Sequence, residues 1–280
     1  MSLLQLVVLA LVQGLTEWLP ISSSAHLILL PALTELPDQG PLIDAMAHLG
    51  SLGAVIVYFW KDILRIGQGG LDLALGRDGV RMTPEAKLFL LIAIATPPGL
   101  VAGVIYALTD LSETLRSPTV IAAATIGFGA LLWAADALRP HEKAVEHMTL
   151  KAALFVGLAQ ALAFIPGTSR SGITMTAARA LGFARDEAAR FGMLVGVPLI
   201  AASGAFAFLE LATGDHPGAI ADDGTLIAVT AFDGAIVAVL SFLAAWASIA
   251  VLMALVKRMS FLPFVLYRFA LGAALLAFAA

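Results

Sequence analysis

The chain has 280 residues, 60% of them hydrophobic and only 13% charged, with a formal net charge of −4 and a mean hydropathy of +0.94. Soluble domains carry about 25% charged residues, so the composition excludes a soluble class and points to a single integral membrane domain over 1–280; no nucleic-acid partner is expected. Cysteine is absent, which removes disulfides, thiolate metal sites and cysteine nucleophiles.

In chain order, the N-terminus has no basic segment ahead of its first apolar run, so it is expected to stay in the mature protein rather than act as a signal peptide. An apolar stretch over about 3–36 follows, broken near its middle by Pro20 and by Ser22, Ser23 and Ser24. Spans are expected at about 41–60, 88–108 and 117–138. A second broken stretch runs over about 152–183, interrupted by Pro166 with Ser169 and Ser171. Further spans are expected at about 188–210, 226–256 and 262–280. Broken segments at membrane depth survive only when buried in protein or lining a wet cavity, so both are read as re-entrant helix pairs.

Basic residues test this layout. Loop 61–87 holds Lys61, Arg65, Arg77, Arg81 and Lys87, loop 139–151 holds Arg139, Lys143 and Lys151, and Arg179, Arg185, Arg190, Lys257 and Arg258 follow. Loops 109–116 and 211–225 hold one basic residue, Arg116, and several acids. The positive-inside rule puts the basic loops in the cytoplasm and both termini outside. The two re-entrant pairs then enter from opposite sides. Leu11-Val12-Gln13-Gly14-Leu15-Thr16 before the first break echoes Leu158-Ala159-Gln160-Ala161-Leu162-Ala163 before the second. The expected fold is an all-α polytopic membrane protein: six transmembrane helices plus two re-entrant helix pairs in an inverted-topology repeat, repeat 1 over about 1–138 and repeat 2 over about 152–280. Such repeats place a site near the midplane where the broken helices meet.

The residues at the breaks carry chemistry. Arg170 sits among Thr168, Ser169, Ser171 and Thr174, a donor-rich setting suited to a phosphate-like anion. Gln13 and Glu17 are four apart and share a helix face, where an amide and a carboxylate oxygen suit Mg²⁺ or Ca²⁺. Ser23 and His26, three apart, are candidates for a nucleophile and its base. Together these supply a metal ligand, a nucleophile, an acid/base group and an anion clamp, which is what phosphoryl transfer needs.

Plainer readings stay open. Glu17 pairing with Arg170 is enough to bury both, and His26 bonding a backbone carbonyl is enough to place it. Asp44 and His48 are either supporting site residues or helix-packing partners. At least one of Ser22, Ser23 and Ser24 is expected only to serve backbone groups freed by Pro20. Gly50, Gly53, Gly99 and Gly103 read as packing residues. Arg268 and Asp233 either pair or Arg268 snorkels, and neither is given a chemical role.

These residues resemble the undecaprenyl-diphosphate phosphatase family, also called the bacitracin-resistance protein family. Gln13 and Glu17, running on through Pro20 to Ser22, Ser23 and His26, match its first motif. Pro166 to Thr174 match its second, Pro-Gly-x-Ser-Arg-Ser-x-x-Thr, at every defined position, and the resemblance spans essentially the whole chain. Gln13 is one of the two residues the motif allows there; members with Glu carry an extra negative charge, so a weaker metal affinity is expected here. The resemblance implies hydrolysis of undecaprenyl diphosphate to the monophosphate, recycling the lipid carrier for cell-wall synthesis and opposing bacitracin. It also implies a divalent cation, Mg²⁺ or Ca²⁺, and a bacterial cytoplasmic (inner) membrane location with the site opening to the periplasmic side. On this reading Glu17, Ser23, His26 and Arg170 are catalytic, Ser169, Arg170, Ser171 and Thr174 bind the diphosphate, and Glu17 with Gln13 holds the metal. A homodimer is compatible with the sequence.

A transporter or flippase for a lipid phosphate or another anion is the main rival, since broken helices in inverted repeats are typical of carriers. A carrier needs Arg170 but not Ser23, His26 and a metal carboxylate together. A phosphohistidine mechanism lacks its second histidine: the next one after Arg170 is His216, in an outer loop.

Overall fold

A computed structural model describes residues 2–27, 40–77, 82–109, 111–138, 143–212, 219–220, 226–227 and 230–279. The first helix, α1 (Leu3–Glu17), starts at Ser2, whose hydroxyl accepts the Gln5 N–H. It stops ahead of Pro20, whose missing N–H and ring clash with the preceding turn favour a break there. A second helix, α2, runs over 23–27, and the rest of the first expected broken segment lies outside the described residues.

Next comes α3 (Gly40–Tyr58), followed after Phe59 by α4 (Trp60–Ala74) at a bend of 84°. The expected loop 61–87 is therefore helical over its first half. Lys61, Asp62, Arg65 and Asp72 interleave with Ile63 and Ile66, which pack on the core, so α4 is two-faced.

Helix α5 (Pro84–Leu108) begins earlier than the expected 88, because Thr83 caps it and Pro84 suits its first turn. A short α6 (Leu111–Leu115) leads to α7 (Pro118–Leu138). The second broken segment is seen in full: α8 (Leu150–Ala161), a 3₁₀ turn over Leu162–Phe164, a break, and α9 (Arg170–Ala180). Then come α10 (Arg185–Ala212), α11 (Ala231–Val256) and α12 (Leu262–Ala279). The expected span from 226 starts later. Leu226–Ile227 pairs antiparallel with Ala219–Ile220, and α11 begins at a capping box of Thr230 and Asp233.

Among the described residues, four helices are long and apolar enough to cross a membrane alone: α5, α7, residues 185–205 of α10, and α11; α3 with α4 makes a fifth if counted as one span. The described chain is helical apart from its turns and the short strand pair.

Packing repeats itself between the halves. Helix α1 lies against α11 as α8 lies against α5, and α3 meets α10 between them. Each of the two broken-segment contacts passes over a glycine. A Cβ on Gly14 would come within 2.6 Å of the Ser241 carbonyl oxygen, and one on Gly157 within 2.7 Å of the Ala95 Cα. Small residues at these crossings let the backbones approach closely enough for dispersion contact, the main attraction between helices in lipid.

Two sets of buried charges form ion pairs. Asp136 at the end of α7 accepts from Arg179 Nε–H at 2.9 Å, Arg185 Nε–H at 2.8 Å and the Phe261 N–H at 3.1 Å. Arg190 on α10 reaches Asp62 on α4 at 2.5 and 2.9 Å. Neither alternative for Arg268 holds: Asp233 caps its own helix, and Arg268 is fully buried on backbone carbonyls, neither paired with Asp233 nor snorkelling.

Candidate active site

The two breaks meet. Glu17 ends α1, and the chain then turns through Trp18 to Ser22, where φ is +74°. A non-glycine residue seldom adopts this left-handed conformation. The turn folds Ser23 back, so its Oγ–H donates to Glu17 Oε2 at 2.8 Å. One helical turn before Glu17, Gln13 donates its amide N–H to the same oxygen at 2.8 Å. Arg170, first residue of α9, donates to Glu17 Oε1 from the other break. Its guanidinium also lies 5.7 Å from the Trp18 ring centroid, a cation–π contact, while the Trp18 indole N–H is anchored on the Ser51 carbonyl at 3.0 Å.

The second break is built like the first. Ser169, with φ of +68°, caps α9 by accepting the Gly172 N–H at 3.1 Å. Ser171 donates to the Leu19 carbonyl at 2.8 Å, and Ser24 accepts the Gly167 N–H at 3.4 Å, so each loop holds the other's backbone. Ser24 thus serves the backbone of the other break rather than groups freed by Pro20.

A cavity of about 400 Å³ opens over this junction. Its polar wall is Glu17, Ser23, Ser24, Asp44, His48, Ser169, Arg170 and Ser203; its apolar wall includes Phe164, Leu199 and Ile200. The N-terminus of α9 faces in through Ser169 and Arg170 and adds the positive end of a helix dipole. The arrangement suits an anion carried on an apolar chain.

The structure sorts the expected residues. Glu17, Ser23, Ser169 and Arg170 line the cavity together. Ser171 and Thr174 do not: Ser171 is turned to the first loop, and Thr174 donates to the Arg170 carbonyl at 3.0 Å within its own helix. The expected Ser23–His26 pair does not form either. His26 Nδ1 lies 2.7 Å from the Ser22 carbonyl oxygen and Nε2 lies 2.5 Å from the Tyr267 hydroxyl, with the two rings stacked. One imidazole turned to the cavity is that of His48. Its Nδ1–H donates to the Asp44 carbonyl at 2.7 Å, and its Nε2 lies 3.7 Å from Glu17 Oε2. Asp44 and His48, left open between packing and site, both face the cavity; their four-residue spacing on one helix face was the available signal.

The donor set fits a hard cation. The Gln13 amide oxygen is buried without a hydrogen-bond partner beside the Glu17 carboxylate. Among the described residues no three His, Asp or Glu side chains close into a metal cage. An ion here would be held by few protein oxygens, with the rest of its shell from water and phosphate, the usual manner of Mg²⁺.

Comparison with known proteins gives one answer. Residues 6–274 match the family described as bacitracin resistance protein BacA. Undecaprenyl-diphosphatase of Maricaulis maris is 53% identical over 99% of both chains. Those of Ruegeria pomeroyi and Hyphomonas neptunium are 47% and 49% identical, covering 100% and 99% of this chain and 99% and 96% of their own.

Proposed function

The chain belongs to the bacitracin resistance protein BacA family, and from this we infer that it is an undecaprenyl-diphosphatase. It hydrolyses undecaprenyl diphosphate to undecaprenyl phosphate and inorganic phosphate, recycling the lipid carrier of cell-wall synthesis and conferring resistance to bacitracin. The observation that carries the site assignment is the convergence of Glu17, Ser23 and Arg170, from two separate breaks, on one cavity.

In the proposed mechanism the lipid diphosphate displaces Glu17 from Arg170. The guanidinium fork, Ser169 and the N-terminus of α9 hold the terminal phosphate. Glu17, released from its cation, takes the proton of Ser23 Oγ, with which it already shares a hydrogen bond. The serine oxygen bonds to the terminal phosphorus as the bond to the bridging oxygen breaks, and the lipid monophosphate leaves. Water then attacks the phosphoserine, its proton leaving with the inorganic phosphate, and Glu17 returns its proton to the Ser23 oxygen. His26 acts through the Ser22 carbonyl it holds, keeping the turn that aims Ser23. Ser171 and Thr174 support the clamp from behind. A divalent cation, Mg²⁺ or Ca²⁺, held by Glu17 with Gln13, would neutralise diphosphate charge at this site.

We place the protein in the bacterial inner membrane as six spans and two re-entrant pairs, related by an inverted repeat with both termini outside. The alternation of basic loops and the matched packing of α1 on α11 and α8 on α5 support this. The cavity then opens to the periplasmic leaflet, with the isoprenoid chain leaving over Phe164, Leu199 and Ile200. A carrier has no need of the Ser23–Glu17 bond, which favours hydrolysis over transport.

The test is phosphate release from a C55 or C15 isoprenoid diphosphate by purified protein, with and without EDTA, for wild type, Glu17→Ala and Arg170→Ala. Metal-dependent release lost in both variants supports the assignment. Undiminished release by either folded variant overturns it.

A further inference from the structure

Arg268 lies in α12, outside every motif that identifies the family residues, and has no exposed surface. All of its hydrogen bonds run to backbone carbonyls. Nε–H donates to Thr125 O at 3.0 Å, Nη1 to Thr168 O at 2.9 Å and Pro20 O at 3.3 Å, and Nη2 to Gly167 O at 2.9 Å and Ala124 O at 3.5 Å. Pro20 belongs to the first break, Gly167 and Thr168 to the second, and Ala124 and Thr125 to α7. One guanidinium therefore ties both catalytic loops to each other and to a spanning helix.

No carboxylate pairs with Arg268 among the described residues, although every other fully buried arginine there has one: Arg179 bonds Asp136. Desolvating a cation without a counter-charge is expensive, and a neutral donor would tie carbonyls at lower cost. The charge is placed close behind the anion site. A Cβ on Gly172, in the first turn of α9, would sit 3.0 Å from Arg268 Nη1 and 3.1 Å from the Ser169 hydroxyl oxygen that caps that helix. The two loops it grips carry Ser23 on one side and Ser169 with Arg170 on the other.

We propose that Arg268 is a positioning residue of the phosphatase reaction: it holds the Pro20 loop against the Gly167–Thr168 loop, so that Ser23 and Glu17 meet a phosphate clamped by Arg170. This rests on the phosphatase reading above. Arg268 touches no substrate; it fixes the distance between nucleophile and clamp and contributes positive potential from behind. Misplacing reacting groups by about 1 Å costs on the order of 100-fold in rate, so the effect of loosening this tie falls on kcat.

The experiment compares wild type, Arg268→Lys and Arg268→Gln by kcat, KM for a C15 diphosphate, and melting temperature in detergent. Lysine keeps the charge but concentrates its donors on one atom and cannot span both loops; glutamine keeps two donors without charge. The expected result is a Lys variant that melts close to wild type, with kcat reduced by about 10- to 100-fold and KM within about threefold. The Gln variant falls further. A Lys variant with wild-type kcat, or a loss confined to KM, overturns the assignment. So does equal collapse of the melting temperature in both variants, which would make Arg268 a stability residue alone. Absence of turnover in the wild type would overturn the phosphatase reading and this assignment together.

Discussion

Ser22 and Ser169 adopt the same left-handed backbone, with φ of +74° and +68°, each immediately before the helix that restarts after a break. They are the only non-glycine residues with positive φ among those described. Each strained turn does the same job in its own half: it reverses the chain so that the next side chain, Ser23 in one case and Arg170 in the other, points at Glu17.

This equivalence predicts the response to substitution at Ser22. Glycine adopts φ > 0 without steric cost, whereas a β-branched residue there is a genuine outlier costing about 1–3 kcal/mol. Ser22→Gly is expected to keep activity within about threefold, since its hydroxyl bonds only Ser24. Ser22→Val is expected to lower the melting temperature and cut kcat at least tenfold. The check is a side-by-side measurement of both quantities; a fully active Val variant would show that the turn does not aim Ser23.

Glu17 is bonded by Gln13, Ser23 and Arg170 at once, so the proposed serine route has a sharp consequence. Substrate labelled in its terminal phosphate should leave label on Ser23 when the reaction is quenched in acid. Ser23→Ala should lose turnover while still binding the lipid diphosphate through Arg170. Substantial turnover in Ser23→Ala would instead assign the attack to water.

The two histidines should separate. His48 presents Nε2 to Glu17 across 3.7 Å, a contact that a glutamine amide can replace, so His48→Gln is expected to stay within about tenfold of wild type and His48→Ala to fall below it. His26 holds the Ser22 carbonyl, and His26→Ala should cost about 100-fold by releasing the turn. Tyr267→Phe removes the hydroxyl at Nε2 but leaves that anchor, and should be mild. Steady-state kinetics on the four variants decide it; a Tyr267→Phe as damaged as His26→Ala would move the important contact to Nε2.

Much of this site is legible in the sequence. Proline beside a serine cluster inside apolar sequence marks a broken helix, because lipid leaves no water to satisfy freed backbone groups. Helical spacing placed Gln13 and Glu17 on one face, and the cost of burying Arg170 demanded an anionic partner. What escaped depends on how helices sit against each other. Periodicity fixes which residues share a face but not what that face meets, so the sequence does not show that Asp44 and His48 of α3 face the cavity. The inward turn of Ser171 and Thr174 follows from the start of α9 at Arg170, which a motif does not locate. Arg268 carries no local signal, since its partners are backbone carbonyls from distant segments. The bend at Phe59 was hidden because the charged residues of α4 look like a loop unless their spacing is compared with that of Ile63 and Ile66.

The Asp136 cluster should behave in the opposite way from the site. Asp136 is the shared acceptor for Arg179, Arg185 and the Phe261 N–H, so it fastens α7, α9, the start of α10 and the start of α12. Removing one member of a buried pair leaves the other charge without compensation, at a cost of about 3–5 kcal/mol. Asp136→Ala is therefore expected to lower the melting temperature strongly and reduce yield. The cluster lies away from the cavity that holds Glu17 and Arg170, so the molecules that do fold should turn over with near-normal kcat. Asp136→Asn, which keeps acceptor and shape but not the charge, should fall between. Kinetics normalised to folded protein distinguish the two roles. A large drop in kcat at an unchanged melting temperature would mean that this cluster sets the geometry of α9, and with it the placement of Arg170, rather than the stability of the bundle.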